Sequence, residues 1–128
     1  MNLLLDTHCL LWWWAEPSKL SGKVLHSIED ATNRIYVSAV SAWEISTKTR
    51  IGKLPMGQSI VARWRDRLTE DYFEVLPISD DHVLLAGALK GEHRDPFDRM
   101  LCAQSMCENL PVATTDKAII DLGAEVFW

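Results

Sequence analysis

Short apolar runs alternate with helical patterns from one end of the chain to the other. The apolar runs, which we predict to be strands, cover residues 3–5, 35–37, 74–78, 112–113 and 125–127. The helical patterns cover residues 7–15, 21–31, 38–51, 59–68, 80–89 and 95–108, with a short one from residue 116. Strands separated by helices pair in parallel through right-handed crossovers. The sequence therefore predicts a three-layer α/β/α sandwich with a mainly parallel sheet of about five strands.

Length and composition indicate one domain over residues 1–128, with an ordinary apolar content of 48%. The apolar start is interrupted by Asp6 and His8 and has no positively charged leader, so we expect neither a signal peptide nor a membrane span. Cys9, Cys102 and Cys107 have spacings that suit no zinc site. We therefore expect a reduced, cytoplasmic protein that does not associate with a membrane.

The charge is unevenly distributed. The net charge is −5, which argues mildly against a protein that coats nucleic acid. Residues 45–69 nevertheless hold six basic side chains and one acidic side chain, Asp66. A basic segment beside an acidic site suits a metal-dependent nuclease. A solvated face of two helices explains the same segment equally well.

Acidic residues follow the predicted strands. Asp6 ends the first strand, Glu44 lies in the helix after the second, and Thr114 and Asp116 follow the strand at 112–113. Asp98 lies in the first turn of the helix that precedes that strand. In open parallel sheets, ligands bind beyond the carboxyl ends of the strands. We therefore expect four carboxylates to converge at one edge of the sheet.

Each of these acids also has a purely structural explanation. Asp6 and Asp116 could cap the helices that follow them. Glu44 could complete a capping box with Ser41, and it also faces Lys48 four residues on. A single acid is therefore weak evidence of function.

Four converging acids are stronger evidence, because unpaired carboxylates repel one another unless cations lie between them. No histidine or cysteine stands at ligand spacing, so the expected ion is Mg²⁺ or Mn²⁺. Such a site suits hydrolysis of a phosphodiester by water. The sequence shows no serine–histidine–acid set and no Gly-rich phosphate loop.

The segment HRDPFDRMLCAQS at residues 93–105 holds two aspartates and two arginines and then continues as an apolar helix. Asp95 before Pro96 predicts a helix N-cap followed by proline at the first helical position. Asp98 then lies in the first turn, where the helix dipole favours a carboxylate. A well-capped helix would be a sufficient reason for these residues by themselves.

Four blocks together resemble the acidic motifs of PIN-domain nucleases. They are LLLDTHCLLWW at residues 3–13, SAVSAWEI at 38–45, HRDPFDRMLCAQS at 93–105 and ATTD at 113–116. The similarity is closest to the VapC-type ribonuclease toxins of toxin–antitoxin pairs. It covers essentially the whole chain, with the blocks in the expected order.

The resemblance implies a metal-dependent endoribonuclease that hydrolyses RNA. Its implied metal ligands and catalytic residues are Asp6, Glu44, Asp98 and Asp116, with the Thr114 hydroxyl orienting a water or a carboxylate. Asp95 belongs to the same motif, but we expect it to act as the N-cap. Possible RNA contacts are His93, Arg94, Arg99 and Lys48, of which the first three are equally well explained as structural partners of the acids.

The resemblance also implies a homodimer and a tightly bound antitoxin protein. Trp12, Trp13 and Trp14 cannot all face inward on one helix, since neighbours are about 100° apart. We expect two of them in the core and at least one at the core edge or in an interface.

Two other classes of function remain open on the sequence. One is an aspartate-based phosphotransfer or phosphatase domain, although those phosphatases place Asp-x-Asp after the first strand, where this chain has Asp-Thr-His. The other is a non-catalytic binding module with the same fold.

Overall fold

The computed structural model describes residues 1–128 and contains one five-stranded sheet in the order β3-β2-β1-β4-β5. Every neighbouring pair of strands is parallel. The strands are β1 Asn2–Leu5, β2 Arg34–Ser38, β3 Glu74–Leu76, β4 Val112–Ala113 and β5 Val126–Phe127. The predicted parallel sheet is confirmed, and its strand positions differ from the expected ones by at most two residues at each end.

Eight helices connect and cover the strands. They are α1 Thr7–Ala15, α2 Gly22–Glu29, α3 Ala39–Arg50, α4 Gly57–Ala62, α5 Trp64–Glu70, α6 Asp80–Ala88, α7 Pro96–Glu108 and α8 Lys117–Asp121. The prediction of one helix over residues 59–68 is wrong, because the backbone leaves helical geometry at Arg63, between α4 and α5. None of the eight helices is both long and apolar enough to cross a membrane.

The two faces of the sheet bury alternate residues of each strand. On one face, Leu3 and Leu5 of β1 belong to a core that also contains residues of α1, α2, α3, α4 and α5. On the other face, Leu4 packs with Leu101 of α7 and Ile119 of α8. Side chains of a strand point alternately to opposite faces, so this division shows helices on both sides of the sheet. The result is the expected α/β/α arrangement.

The three consecutive tryptophans are all half-buried. The indole nitrogens of Trp13 and Trp14 both donate hydrogen bonds to Asp71, at 3.1 and 2.8 Å. Trp12 makes an edge-to-face contact with Trp128 at a ring-centroid distance of 6.0 Å. All three therefore lie at the core edge, rather than two in the core as the sequence predicted.

Gln104 is a fully buried polar residue that connects α7 to the ends of β2 and β3. The Ser38 hydroxyl at the end of β2 donates a hydrogen bond to its amide oxygen. Its amide nitrogen donates to the carbonyl of Pro77, at 3.3 Å. These bonds fix α7 relative to the start of α3.

The close approach of α4 to α3 depends on Gly57. A Cβ atom added at Gly57 would lie 1.8 Å from Oγ1 and 2.9 Å from Cβ of Thr49. The Thr49 hydroxyl also donates to the carbonyl of Ile45 at 2.7 Å, so its side chain cannot turn away without losing that bond. We expect Gly57→Ala to lower the free energy of unfolding by about 1–3 kcal/mol in urea denaturation.

Gly22, the first residue of α2, is a matched control, because a Cβ there would meet nothing within 4 Å. Gly22→Ala should leave the stability unchanged or raise it by about 0.5 kcal/mol. Adding Thr49→Ala to Gly57→Ala should restore part of the loss, since the two side chains share one space. Equal stability of Gly57→Ala and the parent protein would contradict this account of the α3–α4 contact.

Candidate active site

The carboxyl ends of the three central strands bring the sequence-predicted acids together. Because β1 lies between β2 and β4, the residues that follow these strands meet at one edge of the sheet. The cleft at this edge is lined by Asp6, Thr7, His8, Glu44, Lys48, Asp95, Asp98, Leu101, Asp116 and Ile119. All four predicted carboxylates are among them.

Asp6 is the most deeply placed of these acids, with 4% of its surface exposed. Its backbone is extended, and it caps α1 by accepting a hydrogen bond from the amide of Cys9 at 2.6 Å. Its other carboxylate oxygen accepts a hydrogen bond from the Thr114 hydroxyl. Burial nevertheless raises the pKa of Asp6 above its ordinary value, and the bonds to Thr114 and Cys9 only partly oppose that rise. The predicted capping role of Asp6 is therefore confirmed, and the same side chain also lines the cleft.

Thr114 links two of the acids. Its buried hydroxyl donates to Asp6 and accepts a hydrogen bond from the backbone amide of Asp116 at 2.9 Å. Asp116 in turn caps α8, since its carboxylate accepts from the amide of Ala118 at 2.9 Å. One hydroxyl thus fixes the Asp6 carboxylate relative to the start of α8.

Glu44 reaches the cleft from α3 and is almost fully buried. Lys48, one turn later on the same helix, makes an ion pair with it, as the spacing of four residues predicted. The alternative that Glu44 completes a capping box with Ser41 is wrong. The N-cap of α3 is Ser38, and the Ser41 hydroxyl instead contacts the Thr7 hydroxyl at 2.9 Å.

Asp95 and Asp98 have different roles at the start of α7. Asp95 is the N-cap, as expected, and accepts from the amides of Phe97 and Asp98 at 2.8 and 3.3 Å. Asp98 is half-buried in the first turn. Desolvation, together with repulsion from four other carboxylates, raises its pKa to about 7. The strongest of these repulsions comes from Asp95, followed by those from Asp116, Glu44 and Asp6.

The chemistry of the cleft fits a hard divalent cation. Carboxylates from four separate parts of the fold line the cleft, and repulsion among them contributes to the raised pKa of Asp98. Lys48 balances one of them through its bond to Glu44. As placed, the side chains do not form a group of three acidic, histidine or cysteine ligands that could hold an ion. A cation would therefore have to draw the carboxylates closer together.

Arg99, one of the four possible RNA contacts, is held by backbone carbonyls. Its guanidinium donates to the carbonyls of Ala86 and His93, both at 2.9 Å, and to that of Leu89. The structure therefore favours the structural explanation of Arg99 over contact with RNA. It ties the loop between α6 and α7 to the helix that carries Asp98.

His93 and Arg94 remain in positions open to a polyanion. His93 Nε2 lies 3.7 Å from the Asp121 carboxylate, and more than a third of the imidazole is exposed. Arg94 is exposed and, with His93, lines a polar hollow that has no hydrophobic residue. No structural partner accounts for the Arg94 charge.

We expect Arg99→Met to lower the free energy of unfolding by about 2–3 kcal/mol. Hydrogen bonds from a charged donor contribute about 1.5–3 kcal/mol each, but water can replace part of them in this loop. Arg99→Lys should not restore the stability, because an ammonium cannot reproduce the planar fork that serves three carbonyls. Urea denaturation of both variants measures the effect.

Arg94→Met is the control for this prediction, since Arg94 is exposed in the same segment. It should change the stability by no more than about 0.5 kcal/mol. If Arg99→Met keeps full stability and loses only affinity for RNA, the structural explanation is wrong and Arg99 contacts RNA.

Sequence reasoning missed three polar or aromatic residues that shape this region. Thr7 lines the cleft and joins the start of α1 to α3 through Ser41. His8 also lines the cleft, and its charge lowers the pKa of Asp6. Trp43, beside Glu44, is exposed. Their positions next to Asp6 and Glu44 in the sequence were the signal available.

Comparison with known proteins gives a family match and similar relatives. A family model of the PIN domain matches residues 3–125. Ribonuclease VapC22 of Mycobacterium tuberculosis is 27% identical over 119 residues, which cover 92% of this chain and 89% of that protein.

Solved structures show a similar fold at lower identity. In the structure of VapBC2 from Rickettsia felis bound to a DNA fragment from their promoter, the matched chain has a TM-score of 0.71 at 15% identity, with 98% of this chain and 96% of that chain covered. The structure of VapBC-1 from nontypeable Haemophilus influenzae gives a TM-score of 0.69 at 16% identity, covering 99% and 97%.

Proposed function

Since the chain belongs to the PIN domain family, we propose that it is a metal-dependent endoribonuclease that hydrolyses phosphodiester bonds of RNA. The similarity to ribonuclease VapC22 over 92% of the chain supports ribonuclease activity. The observation that carries the proposal is the cleft itself, where Asp6, Glu44, Asp98 and Asp116 meet at the carboxyl edge of the sheet.

The same four carboxylates would hold Mg²⁺ or Mn²⁺. Oxygen donors of this kind are the ligands both ions prefer, and a sparse carboxylate set leaves room for water and phosphate oxygens. A bound ion would supply an activated water and would offset negative charge on the phosphate.

The chain's own residues prepare the site for that chemistry. The Thr114 hydroxyl and the Cys9 amide hold the Asp6 carboxylate in one orientation, so little reorganisation is needed during the reaction. Glu44 would orient the attacking water, and its ion pair with Lys48 balances its charge. A carboxyl group binds a cation only after losing its proton. Because the pKa of Asp98 is about 7, protons and cations compete for this side chain near neutral pH.

RNA contacts are proposed for Arg94, His93 and Lys48. Arg94 and His93 line a polar hollow in the segment that leads into Asp95 and Asp98, and Lys48 lines the cleft itself. Phosphate contacts of this kind position a nucleic acid without reading its sequence.

The proposed biological role is that of the toxin in a type II toxin–antitoxin pair, bound by an antitoxin protein and assembled as a homodimer. The VapBC structures that share this fold support the role. A basic side chain of an antitoxin could neutralise the acidic cleft and compete with metal. Size-exclusion chromatography with light scattering tests the dimer, and a strictly monomeric isolated chain would contradict it.

Cleavage of a structured RNA by the purified protein tests the function. We expect cleavage with Mg²⁺ and none with EDTA. Labelling of Asp6 by acetyl phosphate without RNA cleavage would instead indicate a phosphotransfer domain. If the protein shows neither cleavage nor labelling, the remaining explanation is the non-catalytic binding module.

A further inference from the structure

Two aromatic residues, the exposed Trp43 and the half-buried Phe97, neighbour acids of the cleft in the chain and have no part in the proposed cleavage chemistry. Trp43 of α3 directly precedes Glu44, and Phe97 of α7 lies between Pro96 and Asp98. Their ring centroids are 4.7 Å apart, with an angle of 74° between the ring planes. The pair therefore links the two helices that carry Glu44 and Asp98.

Trp43 is unusually exposed for such a large apolar side chain. More than half of its surface, 54%, is open to solvent. An edge-to-face contact with Phe97 can cover at most one face of the indole, so a π surface remains free. Tryptophan is rarely left open without a partner and is enriched where proteins bind other molecules.

The indole is also held in place before anything binds. Phe97, which contacts the indole, packs against the core cluster that contains Leu101 and Val40. The core therefore holds the side chain on which Trp43 rests. Contact between α3 and α7 needs only one face of Trp43, and a smaller apolar residue would provide it. Packing therefore accounts for the covered face of the indole and leaves the exposed face unexplained.

We propose that the exposed face of Trp43, supported by Phe97, stacks against a nucleobase of the RNA strand next to the scissile phosphate. The proposal rests on the nuclease function, because a strand whose phosphate enters the cleft carries its neighbouring bases past α3 and α7. Aromatic side chains provide the stacking platform on which many proteins hold the bases of single-stranded nucleic acid. Trp43 is thus a positioning residue, one helical step from Glu44.

Binding of short labelled RNA in the Asp98→Asn background, where cleavage does not interfere, tests the proposal. The probes are an oligoadenylate and an abasic ribose-phosphate oligomer of the same length. Stacking on one aromatic side chain corresponds to roughly 5- to 100-fold in affinity. We expect the oligoadenylate to bind more tightly than the abasic oligomer by a factor in that range.

Trp43→Ala, added to this background, should remove most of the preference for the oligoadenylate and leave the affinity for the abasic oligomer unchanged. Trp43→Phe should keep much of the preference, because it retains a π face. Tyr72→Ala is the matched control. Tyr72 is 91% exposed and lies just before β3, at the amino end of the strands, away from the cleft.

In the active protein, Trp43→Ala should raise KM for RNA cleavage by a similar factor with a smaller change in kcat.

The proposal is overturned if Trp43→Ala weakens the binding of both probes equally, or the binding of neither. So does an unchanged affinity for RNA combined with a loss of antitoxin binding, which would assign the indole to the protein partner. If the parent protein cleaves RNA with Mg²⁺ but shows no preference for bases, stacking fails while the nuclease function stands. If it cleaves no RNA, the function itself fails.

Discussion

Asp98→Asn is expected to reduce RNA cleavage by roughly 10³-fold or more while making the metal-free protein more stable. The amide removes one negative ligand from the cleft, and metal-ion catalysis contributes several kcal/mol to the stabilisation of a transition state. The same change removes a carboxylate whose pKa is raised to about 7 by burial and by four neighbouring acids. At pH 8 the gain in unfolding free energy should be on the order of 1–2 kcal/mol, after allowance for solvent screening of a half-exposed group.

Asp95→Asn is the matched control for this prediction. Asparagine caps a helix about as well as aspartate, so α7 should remain capped. We expect cleavage within a few-fold of the parent protein and no large change in melting temperature. Single-turnover cleavage rates and thermal denaturation at pH 8 with EDTA measure both effects. A destabilised Asp98→Asn protein would mean that the loss of activity reflects damage to α7 rather than loss of a metal ligand.

The fold and the acids could be predicted because their signals are local. Each strand is a short apolar run. Asp6 directly follows β1, Asp116 lies three residues after the end of β4, and both cap the next helices. Parallel pairing then requires the ends of neighbouring strands to lie together. Asp95 before Pro96 likewise marks the start of α7 within a few residues.

Other features depend on contacts between distant segments, and the sequence could not show them. Arg99 resembled an RNA contact because a basic residue beside acids is ambiguous, and only the fold places the carbonyls of Ala86, Leu89 and His93 around it. The Ser41–Glu44 spacing resembled a capping box, but β2 ends at Ser38 and the helix starts earlier. The break at Arg63 carries no proline or glycine signal at all.

Proton binding and metal binding should compete at Asp98. The folded pKa of about 7 lies above the ordinary value of 3.8, so the folded, metal-free protein favours the protonated carboxyl. The stability associated with this proton is fully present below about pH 4 and is lost as the pH rises through about 7. The burial-raised pKa of Asp6 acts in the same direction.

A cation needs the carboxylate form, so its affinity should follow the opposite trend. With a pKa of about 7, one competing proton weakens the apparent Mg²⁺ affinity about tenfold for each pH unit below that value, or roughly 100-fold from pH 8 to pH 5. Isothermal titration calorimetry in buffers of different ionisation enthalpy should show about one proton released per bound ion near pH 6. Asp95→Asn removes a repulsion that raises the pKa of Asp98, so its affinity profile should shift to lower pH. A Mg²⁺ affinity that does not change between pH 5 and pH 8 would contradict competition between proton and metal at Asp98.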